Sequence, residues 1–411
     1  MKTVRVLAVS AVAAIALAGC GMSVPGSPVA GELDVRTLDI GAYSDQPLEF
    51  RSEFHHSLDA GTELAIIRLA GHVALGSEIK VSVQVGAGVF IPAALVGGGM
   101  SVLREPGDYE SSVAQDQFRA VLQRDGMLFG FGADGADRSE PDAHAVAGDT
   151  ALSLTVFQFP DDASAAAAAG DLEAVDFAVA PGNVPVQLAK YPAAKAHWRP
   201  DIRTMGARIA HGSYVVDLFA RTPQPDLAAL TALSATALDV QLPLLDSLKP
   251  LSRRDVLHLD YDPDGLMRRT LKVSPDQQPR FDPQSTMAEG DMDPRALLHR
   301  LSKPAATKAL LAADGVDRVA LSGSTVLMRA RDEAAAASLW KSLNATAPKD
   351  VQTPPGLSSA GCGENADAGP TGNRYTCRVR YRRYVATVSS DQLSDVQQRA
   401  SAQYALLANA Q

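Results

Sequence analysis

Apolar and polar positions change rhythm several times along the chain, and each change predicts an element. An apolar run from Val6 to Ala18 follows Lys2 and Arg5. It is 13 residues long, short of the roughly 20 that a bilayer span needs. A positive start, an apolar core and small residues at the end describe a secretory signal over residues 1–19. Residues 20–31 hold Gly, Pro, Ser and Val without a helical or strand period and read as a flexible tether. From Phe54 to Ile79, Leu58, Ala65, Leu69 and Val73 fall at helical spacing, although Gly61, Gly71 and Gly76 weaken that helix. Val81 to Leu103 carries no charge. Its first residues alternate like a strand and the rest reads as a Gly-rich loop; a pocket lining or a second membrane contact are the rival readings. Ser112 to Asp125 is again helical.

The next 250 or so positions repeat one sentence. A strand over 150–159 leads to a helix capped by Asp161 and ending near Phe177. Short strands near Val184–Leu188 and Ala194–Trp198 precede a hairpin of 203–210 and 214–220, and Asp226 opens a long amphipathic helix. Later, Pro294–Ala313 predicts a helix, and Val316–Leu321 with Thr325–Arg329 a strand pair. Asp332 caps an Ala-rich helix, Arg374–Tyr381 and Val385–Ser389 form a second hairpin, and Asp391 opens the last helix. The pattern predicts an α+β fold: two similar α/β sandwich-like units with antiparallel sheets and packed helices, after the signal peptide. The expected division is an N-terminal α+β domain over 32–250, a polar Pro- and Asp-rich linker over 251–293, and a C-terminal α+β domain over 294–411.

Charge narrows the partners. The chain carries −9 at neutral pH, from 38 Lys and Arg against 47 Asp and Glu, and loss of Lys2 and Arg5 with the leader makes it −11. Nucleic acid wants a basic face, so it is not an expected partner. An acidic body is not drawn to anionic headgroups either, so any membrane link rests on a lipid. Leu17-Ala18-Gly19-Cys20 resembles a bacterial lipobox. That resemblance implies a lipid on the Cys20 sulfur, Cys20 as mature N-terminus, and a place on the extracytoplasmic face of the cell membrane. Cys362 and Cys377 are then an even pair, expected to form a disulfide outside the cytoplasm. Two thiolates with His299 as the nearest His in sequence make a poor metal site.

Five blocks carry a family likeness: 38–43 (LDIGAY), 191–198 (YPAAKAHW), 210–216 (AHGSYVV), 262–265 (DPDG) and 402–407 (AQYALL). Together they resemble the DUF7373-type lipoproteins of actinobacteria, mycobacterial and nocardial above all, whose function is unknown. The likeness spans nearly the whole mature chain and implies no catalytic residue.

Candidate chemistry is sparse. Asp260-Tyr261-Asp262-Pro263-Asp264-Gly265 has the opening of a calcium loop, but its twelfth position is Leu271 rather than the bidentate Glu, and Pro-Asp-Gly is an ordinary turn. Ser338 and Lys341 have S-x-x-K spacing without an S-D-N or K-T-G partner. There is no G-x-S-x-G, H-E-x-x-H or nucleotide-binding glycine loop. His55-His56 points two ways on a helix; His197-Trp198 and His211 form either an aromatic stack or a ligand contact. Arg378, Arg380, Arg382 and Arg383 form a basic run in which Arg378 and Arg380 share one strand face; a polyanion or acidic partner, or acids of the same chain, could answer it, and a solvated sheet face is the default. The expectation is a lipid-anchored envelope protein acting as a non-enzymatic binding or accessory module, with no cofactor or metal. A lipid or hydrophobic-ligand carrier and an envelope enzyme with an unrecognised site are the alternatives.

Overall fold

Alternation in the strands sorts side chains onto two faces of two antiparallel sheets, and helices cover both faces of each. A computed structural model describes residues 33–49, 54–79, 83–90, 112–137, 150–273, 280–281, 288–301, 303–346, 349–366 and 373–410. The signal and tether segments, Cys20 and residues 91–103 lie outside the described residues, whereas Gly86 and Gly88, expected in a loop, continue the strand β1 (Val83–Phe90). The first sheet is built from β1 (Val83–Phe90), β2 (Phe129–Ala136), β3 (Ala151–Gln158), β4 (Val184–Val186), β5 (Lys195–Trp198), β6 (Thr204–His211) and β7 (Tyr214–Arg221), in the order β1-β2-β3-β7-β6-β5-β4. The second holds β8 (Arg280–Phe281), β9 (Ala288–Met292), β10 (Arg318–Ser322), β11 (Thr325–Arg329), β12 (Asp350–Val351), β13 (Ala360–Glu364), β14 (Tyr375–Tyr381) and β15 (Tyr384–Ser390). Its order is β12-β13-β14-β15-β11-β10-β9-β8. Read from the other end and without β8, this is the same permutation as the first sheet.

The helices repeat as well. They are α1 (Leu58–Ala70), α2 (Gly76–Ile79), α3 (Ser112–Arg124), α4 (Asp162–Phe177), α5 (Leu227–Asp246), α6 (Arg253–Leu257), α7 (Pro294–Leu298), α8 (Pro304–Ala313), α9 (Glu333–Ala345) and α10 (Leu393–Asn409). β3-α4 and β11-α9 are equivalent, and so are β7-α5 and β15-α10. The two caps match: the Asp161 carboxylate accepts from Ser164 N at 2.7 Å and that of Asp332 from Ala335 N at 2.8 Å. On the first sheet, Phe157 and Val215 pack with α3 and α4, whereas Val156, Val216 and Leu218 face α1 and α5. α5 is apolar and long enough to cross a bilayer. Here one face of it packs on the core, with Leu230, Leu233, Ala237, Leu238 and Leu245 buried.

Several expectations meet a different outcome. Residues 251–293 are not a free linker in their described parts. Leu251, Val256, Tyr261, Leu266, Met267 and Leu271 are buried, and β9 pairs with β10 inside the second sheet. Their Pro and Asp content makes turns that pack. The helix expected over 294–313 breaks after Leu298, because Pro304 has no N–H to donate and starts a new helix instead. Asp391 does not cap the last helix, which begins at Leu393 after Gln392. β2 was invisible in the sequence because Gly130, Gly132 and Gly135 mask its alternation of Phe129, Phe131 and Ala133. Cys362 and Cys377 face each other in the β13–β14 register, with Cα atoms 4.1 Å apart, and are joined by a disulfide. That spacing is the close one of an antiparallel pair.

One apolar core runs through both sheets, with α1 at its centre. Ile66, Ile67, Leu69 and Ala70 of α1 are buried together with Val156 and Val216 of the first sheet and Met292, Val319 and Leu321 of the second. The glycines that weaken α1 as a helix are what let it sit there. A Cβ on Gly61 would lie 2.0 Å from the Val256 carbonyl oxygen, and one on Gly71 2.7 Å from the Asp293 Cβ. His299, after α7, donates from Nε2 to the Val73 carbonyl at 3.1 Å and stacks edge-on against Phe131 at 5.0 Å. Glu78 accepts from Leu75 N at 2.9 Å and pairs with Arg295 and Lys308.

Two outcomes follow from this seam. Gly61→Ala should destabilise by about 1–3 kcal/mol, since contact with a backbone carbonyl outweighs the roughly 1 kcal/mol that Ala adds to a helix. Urea unfolding checks it, and an unchanged midpoint would remove Gly61 from its role. Burial lowers the His299 pKa to about 4 from 6.5, outweighing the Val73 bond that favours the charged ring. The unfolded chain therefore takes up this proton first. The His299 contribution is complete above pH 6.5 and is lost as pH falls towards 4, by up to about 3 kcal/mol. His299→Leu should flatten that slope relative to the parent, all other titrating groups being common to both proteins.

Candidate functional site

Two polar segments, one on each side of α1 and α6, close around a pocket of about 350 Å³. Ser57 caps α1 by accepting from Ala60 N at 3.0 Å, which leaves Phe54 and His56 on the extended chain before the helix. Ser252 and Asp255 form a reciprocal capping box that starts α6, and the short helix ends at His258. The chain then turns through 260–265. Phe54 lies flat on Tyr261, with ring centroids 5.0 Å apart and planes at 9°. His56 meets the edge of Phe54 at 5.1 Å and faces His258 at 6.1 Å. Leu48, Glu49, Asp260, Asp262 and Arg268 complete the wall. Tyr261 is buried, so the aromatic floor is held from beneath while the two imidazoles stand exposed at the sides.

The turn 260–265 is a structural device. Asp260 Oδ1 accepts from Asp262 N at 3.0 Å, an Asx-turn. The Asp262 carboxylate accepts from Met267 N at 2.7 Å and Arg268 N at 3.2 Å, and lies 3.3 Å from Arg268 Nε. Asp264 pairs with Arg318 at 3.2 Å and Arg329 at 3.1 Å. Gly265 takes φ of 68°, as the last turn residue must. The carboxylates that have calcium-loop spacing are thus directed at N–H groups and guanidinium ions. Behind them Arg318 also holds Asp291, with Nη2 2.8 Å from Oδ1. Burial raises the Asp291 pKa to about 6; Arg318 opposes that shift, and Asp264 and Asp262 add to it. Burial likewise raises the pKa of Glu289, whose Oε1 accepts from Gly323 N at 2.9 Å.

The other singled-out residues do not converge. His197 Nδ1 sits 2.8 Å from Glu173 of α4, while His211 Nε2 sits 2.7 Å from Asp246 at the end of α5, on the opposite face of the first sheet. Trp198 donates to the Ile202 carbonyl at 2.7 Å. Ser338 is exposed on α9 and Leu339 is buried, as in an ordinary amphipathic helix. Gly86 and Gly88 lie in β1, where the pairing with β2 is irregular between Gln84 and Gly86. Arg382 and Arg383 lie over the rings of Tyr381 and Tyr384 at 5.4 and 5.7 Å. Among the described residues no three His, Cys, Asp or Glu side chains are grouped to hold a metal ion. Sequence reasoning missed Phe54, His258 and Arg268. The pocket joins segments some 200 positions apart, and the only local hint was the turn chemistry of 260–265.

The pocket can bind; of its carboxylates Asp260 and Asp262 already serve the turn and Glu49 stands exposed at the wall, and with them it presents ring surface, imidazole and one guanidinium. Comparison with known proteins places the pocket in context. A search of curated proteins returns no match. Among solved structures, the extracellular domain of PknH from Mycobacterium tuberculosis is similar over 43% of this chain and 95% of that one. Its identity is 13% and its TM-score 0.27, a likeness too slight to carry an argument. Residues 54–261 match the domain of unknown function DUF7373, N-terminal, and residues 266–410 match its C-terminal counterpart. The first match runs from Phe54 to Tyr261, the stacked pair of the pocket floor, and with both halves matched the chain belongs to the DUF7373 family.

Proposed function

We propose that this chain is exported, held at the outer face of the cell membrane by a lipid on Cys20, and acts there as a non-enzymatic binding module whose ligand enters the pocket between Phe54 and His258. The observation that carries the binding role is the pocket itself: an aromatic floor locked by burial of Tyr261, flanked by exposed imidazoles, at the seam of the two family halves. Fixed rings lose little conformational entropy when a ligand stacks on them, so such a floor favours recognition. The lipobox-like Leu17-Ala18-Gly19-Cys20 supports the anchor, and a disulfide between Cys362 and Cys377 accords with export. The actinobacterial lipoprotein likeness of the blocks belongs to the same reading.

Two measurements test it. Mass spectrometry of the mature protein should find its first residue to be an acylated Cys20, and Cys20→Ala should release the protein from membranes; an unmodified Cys20 sinks the anchor. Native mass spectrometry of protein purified from its own envelope should show a bound small molecule that is lost in Phe54→Ala. An adduct that persists in that variant, or none on the parent, would overturn the pocket assignment.

A further inference from the structure

The repeat of topology lets each half be laid on the other, residue by residue. In the first hairpin His211 pairs with Tyr214, and in the second Tyr381 pairs with Tyr384. Three positions before each turn stands an arginine, Arg208 and Arg378. Three positions after each turn stands its cross-strand partner, Asp217 opposite Arg208 and Thr387 opposite Arg378. The covering helices align through their caps, Asp161 and Asp332, which makes Asn344 the counterpart of Glu173.

In the first half this arginine is fully buried and three carboxylates converge on it. Arg208 Nη1 is 2.8 Å from Glu173, Nη2 is 2.5 Å from Asp176, and Nε is 2.9 Å from Asp217 at an angle too bent for a hydrogen bond. Burial alone would lower its pKa, and the three carboxylates more than reverse that. In the second half Thr387 and Asn344 stand where Asp217 and Glu173 do. Arg378 is half-buried, and its Nε and Nη1, both closed off from solvent, have no hydrogen-bond partner among the described residues. Burial lowers its pKa. Helix α9 uses only the Arg378 carbonyl, which accepts from Trp340 Nε1 at 3.2 Å. On the same strand face, Arg380 reaches Glu333 at 3.5 Å, and Thr376 and Ser389 share a hydroxyl contact of 3.1 Å. The flanking position on β13 is Gly361, covered by the Asn344 amide. A desolvated guanidinium without an anion is costly and uncommon, and its planar fork matches carboxylate and phosphate.

We propose that Arg378 anchors an oxyanion site in the C-terminal half, taking the carboxylate or phosphate group of a ligand where the N-terminal half carries its own Asp217, Glu173 and Asp176. Arg380 adds the second positive charge, and Thr387 and Asn344 supply hydrogen-bonding groups beside it. Seating the ligand turns the guanidinium fork from its closed-off position toward the anion. This site is separate from the Phe54 pocket and does not depend on it.

Thermal unfolding at constant ionic strength tests the site, with chloride exchanged for inorganic phosphate in one arm and for succinate in the other. The parent should gain about 2 °C or more in Tm in at least one arm as the anion saturates; the arm that responds names the ligand group. Arg378→Leu should lose the response while keeping or exceeding the parent Tm in chloride. Arg378→Lys keeps the charge without the fork and should bind about tenfold more weakly. Thr387→Asp restores the internal carboxylate of the first half, so it should raise Tm in chloride and abolish the anion response. No response from the parent in either arm, an undiminished response in Arg378→Leu, or a Thr387→Asp protein that still responds as the parent does would overturn the proposal.

Discussion

Helix α1 has to touch both sheets at once, and backbone must approach backbone for it to do so. Gly61 lies against the Val256 carbonyl and Gly71 against Asp293, the residue that caps α7. Through these contacts the N-terminal sheet, α6 and the start of the C-terminal half share one core. Polar groups are then buried at the seam and must be answered there. Gln241 does so with both ends of its amide, accepting from Ala74 N at 2.9 Å and donating to the His72 carbonyl at 2.9 Å. Gln403 does the same on the other side, accepting from Leu271 N and donating to the Arg269 carbonyl, each at 2.8 Å. Replacing such backbone-like amides by shorter side chains would leave buried N–H and C=O groups unpaired.

The pocket is a consequence of that packing. α6 presses on α1, so the chain that leaves α6 at His258 must pass the chain that enters α1 at Phe54. The Asx-turn at Asp260 and the capping carboxylate of Asp262 then direct the chain into the 3-10 turn Met267–Arg269. Charges that look chemically promising in isolation are spent on this geometry: Asp264, Arg318, Arg329 and Asp291 form a chain of ion pairs behind the turn. A turn stapled in this way holds Tyr261 flat under Phe54, and the rigidity of the floor is what the ring stack needs.

The two halves show how one topology is stabilised differently. The first encloses a buried arginine among three acids, with His197 joined to the same Glu173. The second instead ties β13 to β14 by a disulfide between register partners and has Thr387 and Asn344 where Asp217 and Glu173 stand in the first. Burying one guanidinium is tolerable when carboxylates converge on it, and a cross-link constrains the unfolded chain without any charge at all.

Local chemistry determined much of this chain. The Asp161 and Asp332 caps, the hairpins at 203–220 and 374–389, the α+β class and the repeat of strand, helix, hairpin and helix are all legible, because caps, turns and period-2 alternation act over a few residues. Glycines hid β2, Pro304 split a helix that apolar spacing runs together, and Pro- and Asp-rich turns at 251–273 read as linker though their Leu, Met and Tyr side chains are buried. Only the tertiary structure decided the pocket, the seam through Gly61 and the burial of Arg378 without a hydrogen-bond partner for Nε and Nη1 among the described residues. Each depends on residues far apart in sequence, and whether a charge is answered or a ring is covered is a property of what packs against it.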